Sequence, residues 1–221
     1  MAAQPQLLII AGPNGAGKST FSRDLAPKGA FVFDPDIESA KIEARFPDLP
    51  DESIHYALNQ FFQDCTRNAI LTRQDFVLET NFRDSGLLDA VNRFRENGYQ
   101  ITMVYLVLKA VRQSMERVDQ RVKTGGHFIN KMSIQYNYTE GLKNLNFFAD
   151  RFDRLEIMDA SEDLSELRTL LAIHDKQVVF LSDRIPEWIQ KTIAEIANRF
   201  PDNSRDLEDD QEIERPRGPR R

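Results

Sequence analysis

A single cysteine, Cys65, in a chain of 221 residues excludes any intrachain disulfide. Its neighbours Ala57, Leu58, Phe61 and Phe62 mark it as a small buried hydrophobe rather than a nucleophile, and a lone thiol fits the reducing cytosol, the compartment expected here. Long hydrophobic runs are missing too. None approaches the ~20 residues of a membrane span, and the N-terminus has neither the basic region nor the cleavage site of a signal peptide, so neither membrane insertion nor export is expected. Positive charge is not in excess, since 29 basic against 35 acidic residues leave a net charge of −6. Such a surface lacks the electropositive footprint of duplex binding, which argues against a nucleic acid partner and leaves room for a local basic pocket. The chain has no internal repeat. Its length suffices for one sizeable core but not for two full domains.

What the chain does have is the string Gly12-Pro13-Asn14-Gly15-Ala16-Gly17-Lys18-Ser19-Thr20, directly after the apolar run Leu7–Ala11. Glycines at 12, 15 and 17 let the backbone wrap closely around an anion, so that successive N–H groups and the positive end of the following helix point at it. Lys18 is expected to reach the β- and γ-phosphates of a nucleoside triphosphate, and the Ser19 hydroxyl to ligate Mg²⁺. A strand before and a helix after separate this motif from a Gly-rich turn with an incidental lysine. ATP and Mg²⁺ are therefore the expected cofactors.

Apolar runs suited to buried parallel strands occur at Leu7–Ala11, Ala30–Phe33, Phe76–Leu78, Ile101–Leu108, Leu155–Met158 and Val178–Leu181. Between them lie segments of helical periodicity. The first opens at the loop and runs to Leu25, and the second follows Asp36 as far as Phe46. Glu52–Thr72, Ser85–Asn97, Ala110–Lys123, Met132–Asp150 and a last helix from Pro186 through Asn198 complete the set. The alternation implies an α/β fold of three layers with a mainly parallel sheet, ligands at the carboxyl ends of the strands, and a helical lid around Gly125-Gly126. Residues 1–201 form the expected domain. The charged stretch 202–221 reads as a disordered tail, its opposed charge blocks offering partner recruitment as the alternative.

Two large classes of phosphate-loop protein are excluded by the residues beyond the loop. Transporter-type ATPases carry an LSGGQ-like signature and an apolar run ending in Asp-Glu, and GTPases carry a base-reading Asn-Lys-x-Asp; none of these occurs in the chain. The remainder resembles the zeta-toxin family, in its short, stand-alone branch of small phosphate-loop kinases, over roughly residues 6–160. Beside the loop, the resemblance rests on Val32-Phe-Asp-Pro-Asp36, on Phe76-Val-Leu-Glu-Thr80, and on Arg117-Val-x-x-Arg121-Val-x-x-Gly-Gly-His127. It implies a kinase fold, ATP as donor, UDP-N-acetylglucosamine as acceptor, and a separate antitoxin-like protein as partner. It also implies that Asp36 is the catalytic base and that Glu79-Thr80 meets the acceptor.

The chemistry of these residues agrees with phosphoryl transfer, which needs positioning, charge stabilisation and one group to take the proton of the attacking hydroxyl. Asp36 is the candidate base, and Asp34, two residues earlier, either shares the site or caps the second helix; capping is also open to Asp36. Glu79, Thr80, Asn81 and Arg83 are expected at the acceptor cleft, with Phe82 stacking on a sugar or base; the alternative for Glu79 is a surface pair with Arg83. Arg117 and Arg121 lie four apart on one helix face, where a closing lid would carry both guanidinium groups over the phosphoryl being transferred. Arg117 could equally bond Glu116 or Asp119. Gly125 and Gly126 supply the expected hinge, and His127 orients the loop or meets a ligand.

One departure from the family stands out. Its members carry arginines on the helix after Gly-Gly-His, whereas Ile134-Gln-Tyr-Asn-Tyr138 has none, leaving Lys131 and Lys143 as substitutes. Arginine introduced at Gln135 or Asn137 should raise transfer if those positions face the phosphates. The leading expectation is an ATP-dependent kinase of a small hydroxyl-bearing acceptor, an activated amino sugar being favoured. The alternatives are a nucleoside, an antibiotic or an RNA end as acceptor, or a nucleotide-gated binding protein that transfers weakly.

Overall fold

The computed structural model describes residues 4–126, 128–162 and 167–202. Its elements in chain order are β1 (Gln6–Ala11), α1 (Lys18–Leu25), β2 (Phe31–Phe33), α2 (Pro35–Arg45), α3 (Asp51–Thr72), β3 (Phe76–Thr80), α4 (Leu87–Glu96), β4 (Gln100–Val107), α5 (Val111–Lys123), α6 (Lys131–Phe148), β5 (Arg154–Asp159), β6 (Arg168–His174), β7 (Gln177–Leu181) and α7 (Glu187–Ala197). One sheet of seven strands has the order β2-β3-β1-β4-β5-β6-β7. The first five are parallel, and β6 and β7 add antiparallel. This is the expected α/β architecture with a mainly parallel sheet.

β1 is buried along nearly its whole length because both of its faces are covered, as the unbroken run Leu7–Ala11 requires. Leu7, Ile9 and Ala11 point into the larger core with Phe76, Met103 and Phe94, over which α4 and α7 pack. Leu8 and Ile10 point to the other face, with Val104 and Leu106, covered by Phe21 of α1. Each such large side chain, fully buried, contributes about 1.5–3 kcal/mol. Among the described residues no helix is long and apolar enough to cross a membrane.

β7 falls on the run expected at Val178–Leu181 but pairs antiparallel rather than parallel, and its partner β6 was not legible in the sequence. Leu170–Ile173 is too short and too rich in Leu and Ala to be told from a helical segment, and the two-residue turn between the strands is Asp175-Lys176, with φ of 48° and 67°. Turns of this kind ordinarily advertise themselves with Asn-Gly or Asp-Gly. Lys176 is held in it by donating to the Phe152 carbonyl at 3.4 Å. The remaining elements fall within a few residues of their expected bounds. Residues 203–221, with the tail expected there, lie outside the described residues; Asp202 pairs with Val178.

Register brings the site together. Phe33 lies opposite Leu78, and Ile10 opposite Glu79, so the residues that follow β2 and those that end β1 and β3 meet at one carboxyl edge.

Candidate active site

The phosphate loop is shaped by close backbone approach. A Cβ on Gly12 (φ 141°) would stand 2.4 Å from the Leu106 carbonyl oxygen, and one on Gly15 (φ 78°) 2.9 Å from the Arg117 Cβ. Gly17 (φ 91°) turns the chain into α1, so left-handed backbone is needed at 15 and 17 for the loop to close. Lys18 folds back across it, donating from Nζ to the carbonyls of Gly12 (2.9 Å) and Pro13 (3.2 Å) and to Asn81 Oδ1 (2.8 Å). Burial holds its ammonium below the ordinary lysine range, against the opposing pull of Asp36, Glu79 and Asp34; Arg121 adds to the lowering.

Two carboxylates meet the Ser19 hydroxyl, Glu79 at 2.8 Å and Asp34 at 3.2 Å. Ser22 donates to the other Glu79 oxygen at 2.5 Å. Desolvation is the main reason the Glu79 carboxyl lies above the ordinary glutamate range; the Ser22 hydrogen bond opposes it and the Asp34 charge adds to it. Asp34 also caps α2, its Oδ1 accepting from the N–H of Asp36 (2.9 Å) and Ile37 (3.4 Å). The Asp36 side chain is thereby left exposed in the cleft, in the first turn of the helix.

The end of α5 explains Gly125-Gly126. Gly126 N–H donates to the Arg121 carbonyl (2.9 Å) and Gly125 N–H to the Val122 carbonyl (3.0 Å), with Gly125 at φ 88°, which is the Schellman pattern of a helix terminus. A Cβ on Gly126 would lie 2.4 Å from Arg121 Cγ, so the second glycine is there for the arginine stem. Where the hinge was expected, the pair forms the cap of α5, packed against the Arg121 stem. Arg121 and Arg117 both line the cleft, but Arg117 is committed to main-chain carbonyls, those of Gly15 (3.3 Å), Ser161 (3.1 Å) and Glu162 (2.9 Å). Glu116 pairs instead with Arg112 at 3.6 Å. His127 lies outside the described residues.

Behind the loop stands α6, whose role sequence reasoning missed. Asn137, only 3% exposed, donates to Asn14 Oδ1 at 2.9 Å, and Ser114 of α5 bonds the Asn14 carbonyl. Gly141 lets α6 approach so closely that a Cβ would meet the Asn81 carbonyl oxygen at 2.5 Å and the Tyr105 hydroxyl at 2.7 Å. Asn144 donates to the Phe82 carbonyl at 2.8 Å. An asparagine and a glycine in mid-helix were the available signals, since both lower helix propensity and so call for a tertiary reason.

Several sequence expectations are corrected by this geometry. Phe82 does not stack in the cleft; it is 1% exposed and packs on Phe148 and Phe152, with ring centroids 6.1 Å away in each case. Glu79 faces Ser19 and Ser22 rather than Arg83, which lies 3.6 Å from Asp84. Thr80 turns its hydroxyl to the Phe82 N–H at 3.0 Å. Neither Lys131 nor Lys143 lines the cleft, and Lys143 pairs with Glu140 at 2.6 Å. Asn137 has no room for an arginine without losing its bond to Asn14, and Gln135 is exposed outside the cleft lining.

The cleft these residues border has a volume of about 1450 Å³, above the ~300–1,000 Å³ of a pocket for one drug-sized ligand. It is bordered by the phosphate loop and α5, by α2 and α3, and by the segment after β3. A phosphate loop at the carboxyl edge of a mainly parallel α/β sheet, with two carboxylates on its serine and with Asp36, Arg117 and Arg121 lining the same cleft, has the architecture of the phosphate-loop kinases. Residues 1–167 match the family described as Zeta toxin, and the chain belongs to that family.

A chain from Haemophilus influenzae described as an uncharacterized protein is 27% identical over 136 residues, 61% of this chain and 94% of its own length. Among solved structures, the PezAT chromosomal toxin–antitoxin system of Streptococcus pneumoniae superposes with a TM-score of 0.61 at 11% identity, covering 90% of this chain and 88% of that one. The structure of AvrRxo1-ORF1:-ORF2 with ATP gives 0.61 at 12%, covering 95% of this chain and 64% of that one. At these identities the likeness of the structures is one of fold.

Proposed function

We propose that this protein transfers the γ-phosphoryl group of ATP to a hydroxyl of a small acceptor, with Asp36 as the base. The carrying observation is the division of labour between the two aspartates: Asp34 is occupied by the α2 cap and the Ser19 hydroxyl, while Asp36 stands unshielded in the cleft and within the field of Lys18. The acceptor oxygen bonds to the γ-phosphorus, the bond to the β,γ-bridging oxygen breaks, ADP leaves, and Asp36 takes the hydroxyl proton. Lys18, now bonded to loop carbonyls, swings to the phosphates. Arg121 neutralises charge on the moving group, and Arg117 holds the loop by its Gly15 carbonyl. Glu79 and Asp34, on either side of the Ser19 hydroxyl, form a hard-oxygen donor set that fits Mg²⁺ held jointly with phosphates. When bound, the ion would offset the charge of the β- and γ-phosphates.

The finer acceptor implied by the family resemblance is UDP-N-acetylglucosamine, with Thr80, Asn81, Arg83 and His127 near it. The toxin–antitoxin neighbour supports a separate antitoxin-like partner. The test is incubation of the purified chain with ATP, Mg²⁺ and a panel of sugars, nucleotide sugars and nucleosides, with phosphate incorporation read by mass. Asp36→Asn should lower the transfer rate ~10²-fold or more with ATP affinity unchanged; normal turnover by that variant would remove Asp36 from the role of base. ATP bound without transfer to any acceptor would favour the nucleotide-gated binding protein.

A further inference from the structure

Resting on the nucleotide-binding part of that reading, we infer that Asn81 is a positioning residue for Lys18: its amide oxygen holds the ammonium over the empty loop and is exchanged for a phosphate oxygen when ATP binds, so that Asn81 restrains nucleotide affinity. An ammonium has three N–H donors and no acceptor, and all of them are taken. Lys18 Nζ donates to the carbonyls of Gly12 (2.9 Å) and Pro13 (3.2 Å) and to Asn81 Oδ1 (2.8 Å). A phosphate oxygen is met only by giving one of these bonds up.

The two carbonyls belong to a backbone that cannot move aside. Gly12 packs so closely on the Leu106 carbonyl that a Cβ would not fit, and its N–H donates to the Thr80 carbonyl at 3.2 Å. The Pro13 carbonyl also accepts from the Ala16 N–H at 3.2 Å, which closes the loop. Asn81 differs, because its main chain is fixed and its side chain is not. Gly141 of α6 lies against its carbonyl oxygen, and the next residue, Phe82, is held by the Thr80 hydroxyl at its N–H (3.0 Å) and by Asn144 at its carbonyl (2.8 Å). From this anchored backbone the half-buried amide reaches into the cleft, where rotation of the side chain withdraws it from Lys18. Only its oxygen can face an ammonium, and a hydrogen bond to an ionised donor is one of the strong ones, so the exchange opposes binding. Changes that shift the main chain act on the loop itself through the Thr80–Gly12 bond; a change confined to the Asn81 side chain leaves that bond in place.

The experiment is calorimetric titration of the full chain and its variants with Mg²⁺ and a non-hydrolysable ATP analogue, together with a structure of the wild-type complex. Asn81→Leu keeps the bulk without an acceptor and should bind the analogue about threefold more tightly than the parent, or better. Asn81→Ala leaves room for a water in place of the amide and should fall between the two; it carries the same sign should the leucine variant not fold. Asn81→Asp offers an ionised acceptor and should bind about threefold more weakly, or worse. A merely structural role for Asn81 predicts weaker binding for leucine and alanine, since damage to the loop removes phosphate contacts. In the wild-type complex the Lys18 Nζ to Asn81 Oδ1 distance should open beyond about 3.5 Å. Unchanged or weaker binding by the leucine and alanine variants, or an intact bond in the complex, would overturn the inference and leave phosphotransfer standing. A wild type that binds no analogue would sink both.

Discussion

Glu79 is the residue on which the electrostatics of the site turn. It is 3% exposed, and its neighbours are Ser19, Ser22, Asp34 and Lys18. Burial raises its proton affinity in the folded state, so its contribution to stability is full below the unfolded-state value near 4.3 and is lost as pH rises through the higher folded-state value. A glutamine there cannot ionise and keeps hydrogen bonding with the two serines, whose hydroxyls rotate to suit. Glu79→Gln is therefore expected to match the wild type in acid and to exceed it in stability at neutral pH, while transfer falls. Denaturant melts across pH measure this. A variant no more stable at pH 7 than the parent would contradict the assigned burial cost.

At the scale of elements, α5 and α6 form a frame that sets the loop and its arginine, and the three glycines in this frame act for three different reasons. Gly125 needs its left-handed φ of 88° but has open space around it, so Gly125→Ala should cost about 1–2 kcal/mol of stability and little turnover. Gly126 has crowding instead, against the Arg121 stem. Gly126→Ala should leave stability nearly unchanged and lower kcat by displacing the guanidinium, with Arg121→Lys giving a similar loss. Gly141 lets α6 lie directly against Asn81, the partner of Lys18. Alanine would gain about 1 kcal/mol of helix propensity there, yet the contacts of 2.5 and 2.7 Å predict a net loss of about 1–3 kcal/mol and weakened nucleotide binding. Chemical denaturation and calorimetry on the three variants separate these effects; equal behaviour of Gly125→Ala and Gly126→Ala would refute the division.

For the whole molecule, the carboxyl edge of the sheet carries one cleft bordered by the phosphate loop, and ligands that bind this cleft only in the folded chain must stabilise it. ATP with Mg²⁺ at a hundred times its Kd is expected to add about 2.7 kcal/mol, seen as a rise in Tm. Lys18→Ala should fold like the parent, since the ammonium contacts loop carbonyls and Asn81 rather than the core, and should lose most of that rise. An undiminished shift would separate nucleotide binding from the loop. In the wild type, binding should take up protons above neutral pH, because phosphates restore the affinity that burial removes from Lys18. Calorimetry in buffers of different ionisation enthalpy reads the uptake directly.

The local sequence by itself determined the phosphate loop, the parallel strands and the helix that carries Arg117 and Arg121. In each case the information is short-range: glycine at positions of positive φ, unbroken apolar runs for strands buried on both faces, and a spacing of four on one helix. The division between Asp34 and Asp36 was framed by Asp-Pro-Asp but decided only when α2 began at Pro35 and Ser19 came within reach of Asp34. Tertiary structure alone removed Phe82 from the cleft into the core, because the chain turns there at φ 53° and α6 covers it. It also made Arg117 a brace and Asn137 a clasp on Asn14, and it hid the β6–β7 hairpin behind a turn without glycine. These outcomes depend on which distant segments meet across the sheet, and long-range approach leaves no periodicity in the residues that undergo it.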